Sequence, residues 1–275
     1  VASRHPLAAI VVVLFGLAAA LPTAAQDRLE AAYGDDPLQR LDIFPQPGLK
    51  GAPVLIYVHG GSWRTGDKKA VASLPDYARR NGFLLLSVNY RLSPRVDAGG
   101  EAEDVASAVA WARANAARLG GAADRIVLMG HSAGAHLAAL VGVDPTYLAA
   151  HGMKPADLAG VVPIDTAAYD AVAQLAFIRK TSPRGDGGLY EAPFGARPAA
   201  LSPTRLARAG RRYPPFLIFH IVDRRDSPVQ SAGFGKALVA AGARATVVAA
   251  PGETHGSINR GFGEPGDAEG ERAAA

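Results

Sequence analysis

Arg125-Ile126-Val127-Leu128-Met129-Gly130-His131-Ser132-Ala133-Gly134-Ala135-His136-Leu137-Ala138 is the stretch from which the fold is read. Ile126 to Met129 is a short apolar run, the pattern of a buried strand. The small and apolar residues from Ala133 onward suit a helix. Between them, Gly130-His131-Ser132-Ala133-Gly134 matches G-x-S-x-G, a sharp strand-to-helix turn that presents a serine. A serine at such a turn holds a strained backbone, and the two glycines let strand and helix approach closely. The helix N-terminus then directs free N–H groups and the positive end of its dipole at the serine. A glycine turn also produces this pattern by chance, but a strand before it and a helix after it are the context the motif requires.

Outward from this turn, strands and helices alternate. Upstream, Arg40 to Phe44 reads as an edge strand, and Pro45-Gln46-Pro47-Gly48 breaks it. Val54 to Val58 is a continuous apolar run, as a strand buried on both faces should be, and it ends in His59-Gly60-Gly61-Ser62-Trp63. A helix is predicted over Lys69 to Arg80, a strand over Phe83 to Val88 and an amphipathic helix over Glu101 to Leu119, stopped by Gly120-Gly121. Downstream, Gly160 to Ile164 reads as a strand. Residues Thr166 to Arg212 are irregular, with one helix around Tyr169 to Ile178, and read as an insertion over the site. Phe216 to Val222 is a strand, Gln230 to Ala241 a helix, and Thr246 to Ala249 a strand. The alternation predicts a mostly parallel, twisted α/β sheet with helices on both faces, and a site at the carboxyl ends of its strands.

The chain has 275 residues, 49% of them apolar, a formal net charge of +4 and no cysteine. Its basic pairs, Arg79-Arg80, Arg211-Arg212 and Arg224-Arg225, are scattered and lack interleaved aromatics, which argues against nucleic acid as a partner. The lack of cysteine excludes disulfides, thiolate catalysis and cysteine zinc sites. Near the N-terminus, Arg4 and His5 precede the apolar segment Leu7 to Leu21, and Thr23-Ala24-Ala25 offers small residues to a signal peptidase. The expectation is a signal peptide over residues 1–25, a domain over 26–263 with its insertion at about 166–212, and a flexible tail over 264–275. An uncleaved N-terminal anchor is the rival reading. A cleaved signal implies a periplasmic or secreted protein with no stable membrane association.

Candidate chemistry lies at the strand ends. A serine hydroxyl needs a base within hydrogen-bond reach, and the base needs an orienting acid. Ser132 is the candidate nucleophile. His255, in the turn-rich loop Pro251 to Gly256, is the candidate base; the other histidines lie in the N-terminal segment, motif turns, helix, loop or strand patterns. Asp223, immediately after an apolar strand, is the favoured acid. Asp226, three residues on, is the second candidate, with a helix cap as its bland role. Asp165, after the strand preceding the insertion, is the outsider. Gly60 and Gly61, with the N–H of Ala133, suit an oxyanion hole, since glycines leave backbone donors unobstructed. Trp63 is placed either as a wall of the substrate pocket or as a packed core residue.

His59-Gly60-Gly61-Ser62-Trp63, Asn89-Tyr90-Arg91-Leu92-Ser93-Pro94, Gly130 to Ala138 and the Asp-to-His segment together resemble the α/β-hydrolase superfamily. Within it, the chain is similar to hormone-sensitive-lipase-like, acetyl-xylan and feruloyl esterase, and kynurenine formamidase groups. The resemblance covers roughly Arg40 to Phe262 and implies an α/β-hydrolase fold. It also implies a Ser-His-Asp hydrolase of small carboxylic esters, or of aryl-formamides, working without cofactor or metal. Two departures stand out. Ser62 occupies a place where many relatives have Gly or Tyr. The family's acid usually follows His-Gly-x-x-Asp, whereas His220-Ile221-Val222-Asp223 is one residue shorter. A non-catalytic binding protein of the same fold is the remaining alternative.

Overall fold

The computed structural model describes residues 28–181 and 187–275. The expected signal segment lies outside them. In chain order the strands are β1 (Leu29–Ala32), β2 (Arg40–Phe44), β3 (Ala52–Val58), β4 (Leu84–Val88), β5 (Gly121–His131), β6 (Gly160–Ile164), β7 (Phe216–Ile221) and β8 (Ala245–Ala250). The helices are α1 (Leu74–Arg80), α2 (Ala98–Asn115), α3 (Ala133–Val143), α4 (Pro145–Ala149), α5 (Ala171–Thr181), α6 (Gly187–Phe194), α7 (Pro203–Leu206), α8 (Ser227–Ala240), α9 (Ser257–Arg260) and α10 (Ala268–Ala274). The eight strands form one sheet in the order β1-β2-β4-β3-β5-β6-β7-β8. Only the β1–β2 and β2–β4 pairings are antiparallel.

The apolar runs are continuous because the central strands are covered on both faces. Along β3, Val54, Ile56 and Val58 face a core shared with α2, α3 and α8, while Leu55 and Tyr57 face a second core with Leu74, Tyr77, Ile258 and Phe262. Each fully buried Leu, Ile, Val or Phe contributes about 1.5–3 kcal/mol of hydrophobic stabilisation. The register Val58↔Gly130 between β3 and β5 brings the His59-Gly60-Gly61 turn beside the serine turn. His131↔Ile164 between β5 and β6 brings the residue after β6 to the same edge.

Three expectations change. Arg40–Phe44 is not the edge strand, because β1 pairs outside it. Among its described residues the insertion carries α5, α6 and α7 rather than one helix. The expected tail ends in α10, which is docked rather than frayed: Asp267 accepts from the N–H groups of Gly263 and Gly270, and the Tyr77 hydroxyl donates to the Gly270 carbonyl at 3.0 Å.

Candidate active site

Ser132 sits between β5 and α3 with φ 56° and ψ −118°, a left-handed strained conformation that a non-glycine residue adopts only when its surroundings impose it. The surroundings are close-packed backbone. A Cβ on Gly130 would lie 2.3 Å from the Gly134 carbonyl oxygen, and one on Gly134 would lie 2.1 Å from that of Val58. The turn therefore tolerates only hydrogen at both positions. Ser132 is followed by α3, whose first N–H groups, that of Ala133 included, have no acceptor within the helix.

The turn after β3 arrives from the other side. A Cβ on Gly60 would come within 2.9 Å of the Ser132 Cβ, so the backbone here rests against the serine. Ser62 and Trp63 both hold positive φ (53° and 60°). The strain is held by backbone bonds: the Arg64 and Thr65 N–H groups donate to Gly61, and Ser93 N–H donates to Trp63 at 2.8 Å. His59 is a structural residue, with its ring stacked on Tyr90 and its carbonyl bonded to the Tyr90 hydroxyl.

Trp63 is 3% exposed and packs into the core. Its indole N–H donates to His136 Nδ1 at 3.2 Å, and its ring meets Phe194 and Tyr190 edge-on. His136 in turn donates from Nε2 to the Leu201 carbonyl at 2.8 Å, so the turn after β3, α3 and the insertion are joined. Burial holds the His136 imidazole down at about 4, which keeps it neutral. The insertion that buries Trp63 is remote in sequence, so no local pattern distinguishes the two roles.

His255 follows β8 and reaches across the sheet edge. Its Nε2 lies 3.0 Å from Ser132 Oγ. Its Nδ1 lies 2.5 Å from Asp165 Oδ2. The aspartate that meets the histidine is thus Asp165, after β6, and not the favoured Asp223. Asp223 is exposed in the loop after β7. Asp226, at the N-terminus of α8, makes no side-chain cap and instead accepts from Arg224 Nε at 3.2 Å and Gln174 Nε2 at 2.8 Å. Measured from His220, the His-Gly-x-x-Asp pattern puts Arg224 where its acid would stand. The physical reason for the change is positional. Asp165 is the first residue past β6, next to the serine strand, and its φ of 48° turns it at the sheet edge.

Asp165 is fully buried, and four donors converge on it. Oδ1 accepts from the Ile221 N–H at 3.2 Å and from the Ser227 hydroxyl. Oδ2 accepts from His255 and, at 3.4 Å, from Arg224 Nη1. Burial opposes its charge, but the bonds from His255 and Ser227 and the Arg224 cation outweigh it and hold the carboxyl at about 2. Asp165 is therefore an anion at neutral pH, able to hold the proton of the histidine on Nδ1 and leave Nε2 free to accept from the serine.

His131, a residue without an assigned role in the sequence reading, braces this histidine. Its ring lies 4.5 Å from the His255 ring, and its Nε2 donates to the His255 carbonyl at 2.8 Å. Burial, followed by the neighbouring His255, pushes the His131 imidazole down to about 3, so it stays neutral. Its place before the serine in the motif carries no local signal for that contact.

Comparison with known proteins agrees with this architecture. A family model described as BD-FAE matches residues 41–154. Esterase LipC of Mycobacterium tuberculosis is 42% identical over 129 residues, 44% of this chain and 32% of the relative. A probable isoprenylcysteine alpha-carbonyl methylesterase, ICMEL1 of Arabidopsis thaliana, is 27% identical over 246 residues, 83% of this chain and 50% of the relative. The matches thus span half or less of the length of these curated relatives. Among solved structures, the apo form of Thermogutta terrifontis esterase 2 superposes with a TM-score of 0.70 at 24% identity, covering 91% of both chains.

Proposed function

We propose that the chain, whose residues 41–154 match the BD-FAE model and whose fold is shared with a solved esterase, is an α/β-hydrolase that cleaves carboxylic esters as a serine hydrolase. The observation that carries the reading is the continuous line from Asp165 Oδ2 through His255 to Ser132 Oγ, at 2.5 and 3.0 Å. Ser132 Oγ attacks the ester carbonyl while Nε2 of His255 takes its proton. Asp165 keeps the other ring nitrogen protonated and stabilises the imidazolium. The N–H groups of Gly61 and Ala133 receive the developing oxyanion, with Gly60 bringing that turn against the serine. His255 then gives its proton to the departing alcohol. Water, deprotonated by the same histidine, attacks the acyl-enzyme and releases the acid.

The two relatives favour esters over formamides: one is named an esterase and the other a probable methylesterase. A panel of p-nitrophenyl esters of graded chain length, run beside formyl-anilides, tests the reading. Ester turnover that exceeds formyl-anilide turnover supports it, and the reverse order contradicts it.

The proposal extends to export. The Arg4-to-Ala25 pattern is that of a cleaved signal, which would deliver the domain to the periplasm or medium. Mass spectrometry of the mature protein should then find Gln26 first; an intact N-terminus in the membrane fraction would contradict it.

A further inference from the structure

Arg224 is the charged residue nearest the reacting histidine that the ester mechanism leaves without a task. Its Nη1 lies 3.1 Å from His255 Nδ1 and 3.4 Å from Asp165 Oδ2. We propose that Arg224 is a positioning residue that fixes the Asp165 carboxylate on His255 and ties this pair to the insertion over the site.

The geometry gives the reason. The Ile221 N–H and the Ser227 hydroxyl both hold Oδ1 of Asp165, so the carboxylate is pinned on one oxygen. On Oδ2, Arg224 is the one donor besides the imidazole among the described residues. His255 Nδ1 cannot both donate and accept. With its proton on Nδ1 it donates to Asp165, Nε2 faces the serine as an acceptor, and the Arg224 N–H goes to Oδ2. With the proton on Nε2, Nδ1 accepts from Arg224 and Ser132 has no base. The arginine must therefore be held toward the carboxylate, and Asp226 supplies the restraint. It takes Arg224 Nε at 3.2 Å and Nη2 at 3.4 Å, the two-point geometry to which a guanidinium is suited.

Asp226 is itself held by Gln174, a buried residue of α5. A polar chain thus runs from the insertion, through Gln174, Asp226 and Arg224, to the Asp165–His255 pair. The groups facing His255 are Asp165 after β6, Arg224 from the β7–α8 loop, with Asp226 behind it, and the neutral His131 at the end of β5. Arg224 is the only cation among them, so only its replacement removes a positive charge from the surroundings of the imidazole.

This role rests on Asp165 as the acid, and the test separates the two. kcat/KM for p-nitrophenyl acetate is measured against pH for Arg224→Met and Arg224→Lys, with thermal unfolding as a control. Arg224→Met should lose about tenfold in kcat, the size of one charge-assisted hydrogen bond, with KM nearly unchanged. The acid side of its pH profile should move to higher pH. Arg224→Lys, which keeps the cation, should restore most of that movement. Should Arg224→Met not fold, Arg224→Gln is read in the same way. A neutral variant whose pH profile superimposes on the wild type, or a uniform loss that Lys does not rescue, would overturn the role of Arg224. An active Asp165→Asn enzyme would instead overturn the acid itself.

Discussion

Replacing Asp165 by Asn separates the acid seen at His255 from the one the sequence pattern favours. The carboxylate is fully buried and receives four donors. An amide in its place has one acceptor. If that oxygen meets His255 Nδ1, the NH2 group faces the Ile221 N–H, donor against donor. If the NH2 group meets Nδ1, it donates there, drives the imidazole proton to Nε2 and removes the base from Ser132. Either way the productive tautomer loses its support, and a rate loss of about 10⁴-fold is expected, as in serine proteases. The stability cost follows from the carboxyl being held at about 2 against an ordinary 3.8. A depression of this size is worth about 2 kcal/mol at neutral pH. Its sign is that of a lowered acid: the stabilisation is complete above pH of about 4 and disappears as pH falls toward 2. Asp165→Asn should therefore melt several degrees below the wild type at pH 7, with the gap closing in strong acid. Asp223→Asn, altering an exposed side chain, should match the wild type in both rate and melting. Initial rates on p-nitrophenyl acetate and thermal melts at pH 7 and pH 3 provide the assay. A nearly wild-type rate in folded Asp165→Asn, or an inactive Asp223→Asn, would refute the reasoning.

Two further outcomes follow from buried groups near the turns. Glu101 in α2 is buried with its carboxyl pushed up to about 10, chiefly by desolvation, so it is neutral in the folded chain but ionises in the unfolded one. Stability is thereby lost as pH rises from the ordinary carboxyl value toward 10. Glu101→Gln should raise the melting temperature at pH 8 and leave it little changed at pH 4; a lower value at pH 8 would contradict this. Gly60→Ala would bring a methyl group within 2.9 Å of the Ser132 Cβ and displace the turn from the serine. It should lower kcat by about 10²-fold, the scale of losing one oxyanion donor, with a smaller effect on KM. Unchanged kcat would remove Gly60 from the account.

What could be read from the chain was local. Gly130-His131-Ser132-Ala133-Gly134 carries its own strain and close-packing requirements, and Gly60-Gly61 follows a strand whose apolar run is unmistakable. His255 was legible because a turn-rich loop follows the final strand. The acid was not, because Asp165 and Asp223 both follow a strand and both satisfy the order Ser, Asp, His. Deciding between them requires the path of the β8 loop over the sheet edge and the clamp of Ser227 and Ile221 on the carboxylate, which are contacts between distant segments. The same holds for Trp63, whose burial depends on Tyr190 and Phe194 in the insertion, and for His131, whose partner is a carbonyl on another strand's loop. In the final helix, small and polar residues suggested fraying. Its order comes from Asp267 and from Tyr77, far away in sequence.

The central claim is that Ser132 Oγ is the nucleophile, and covalent labelling tests it most directly. The purified protein is treated with a fluorophosphonate, digested and sequenced by mass spectrometry, with Ser132→Ala as the control. One adduct per chain is expected, on Ser132, together with loss of ester turnover in step with labelling and with neither label nor turnover in folded Ser132→Ala. An adduct on another residue, or ester hydrolysis at the wild-type rate by Ser132→Ala, would contradict the serine mechanism.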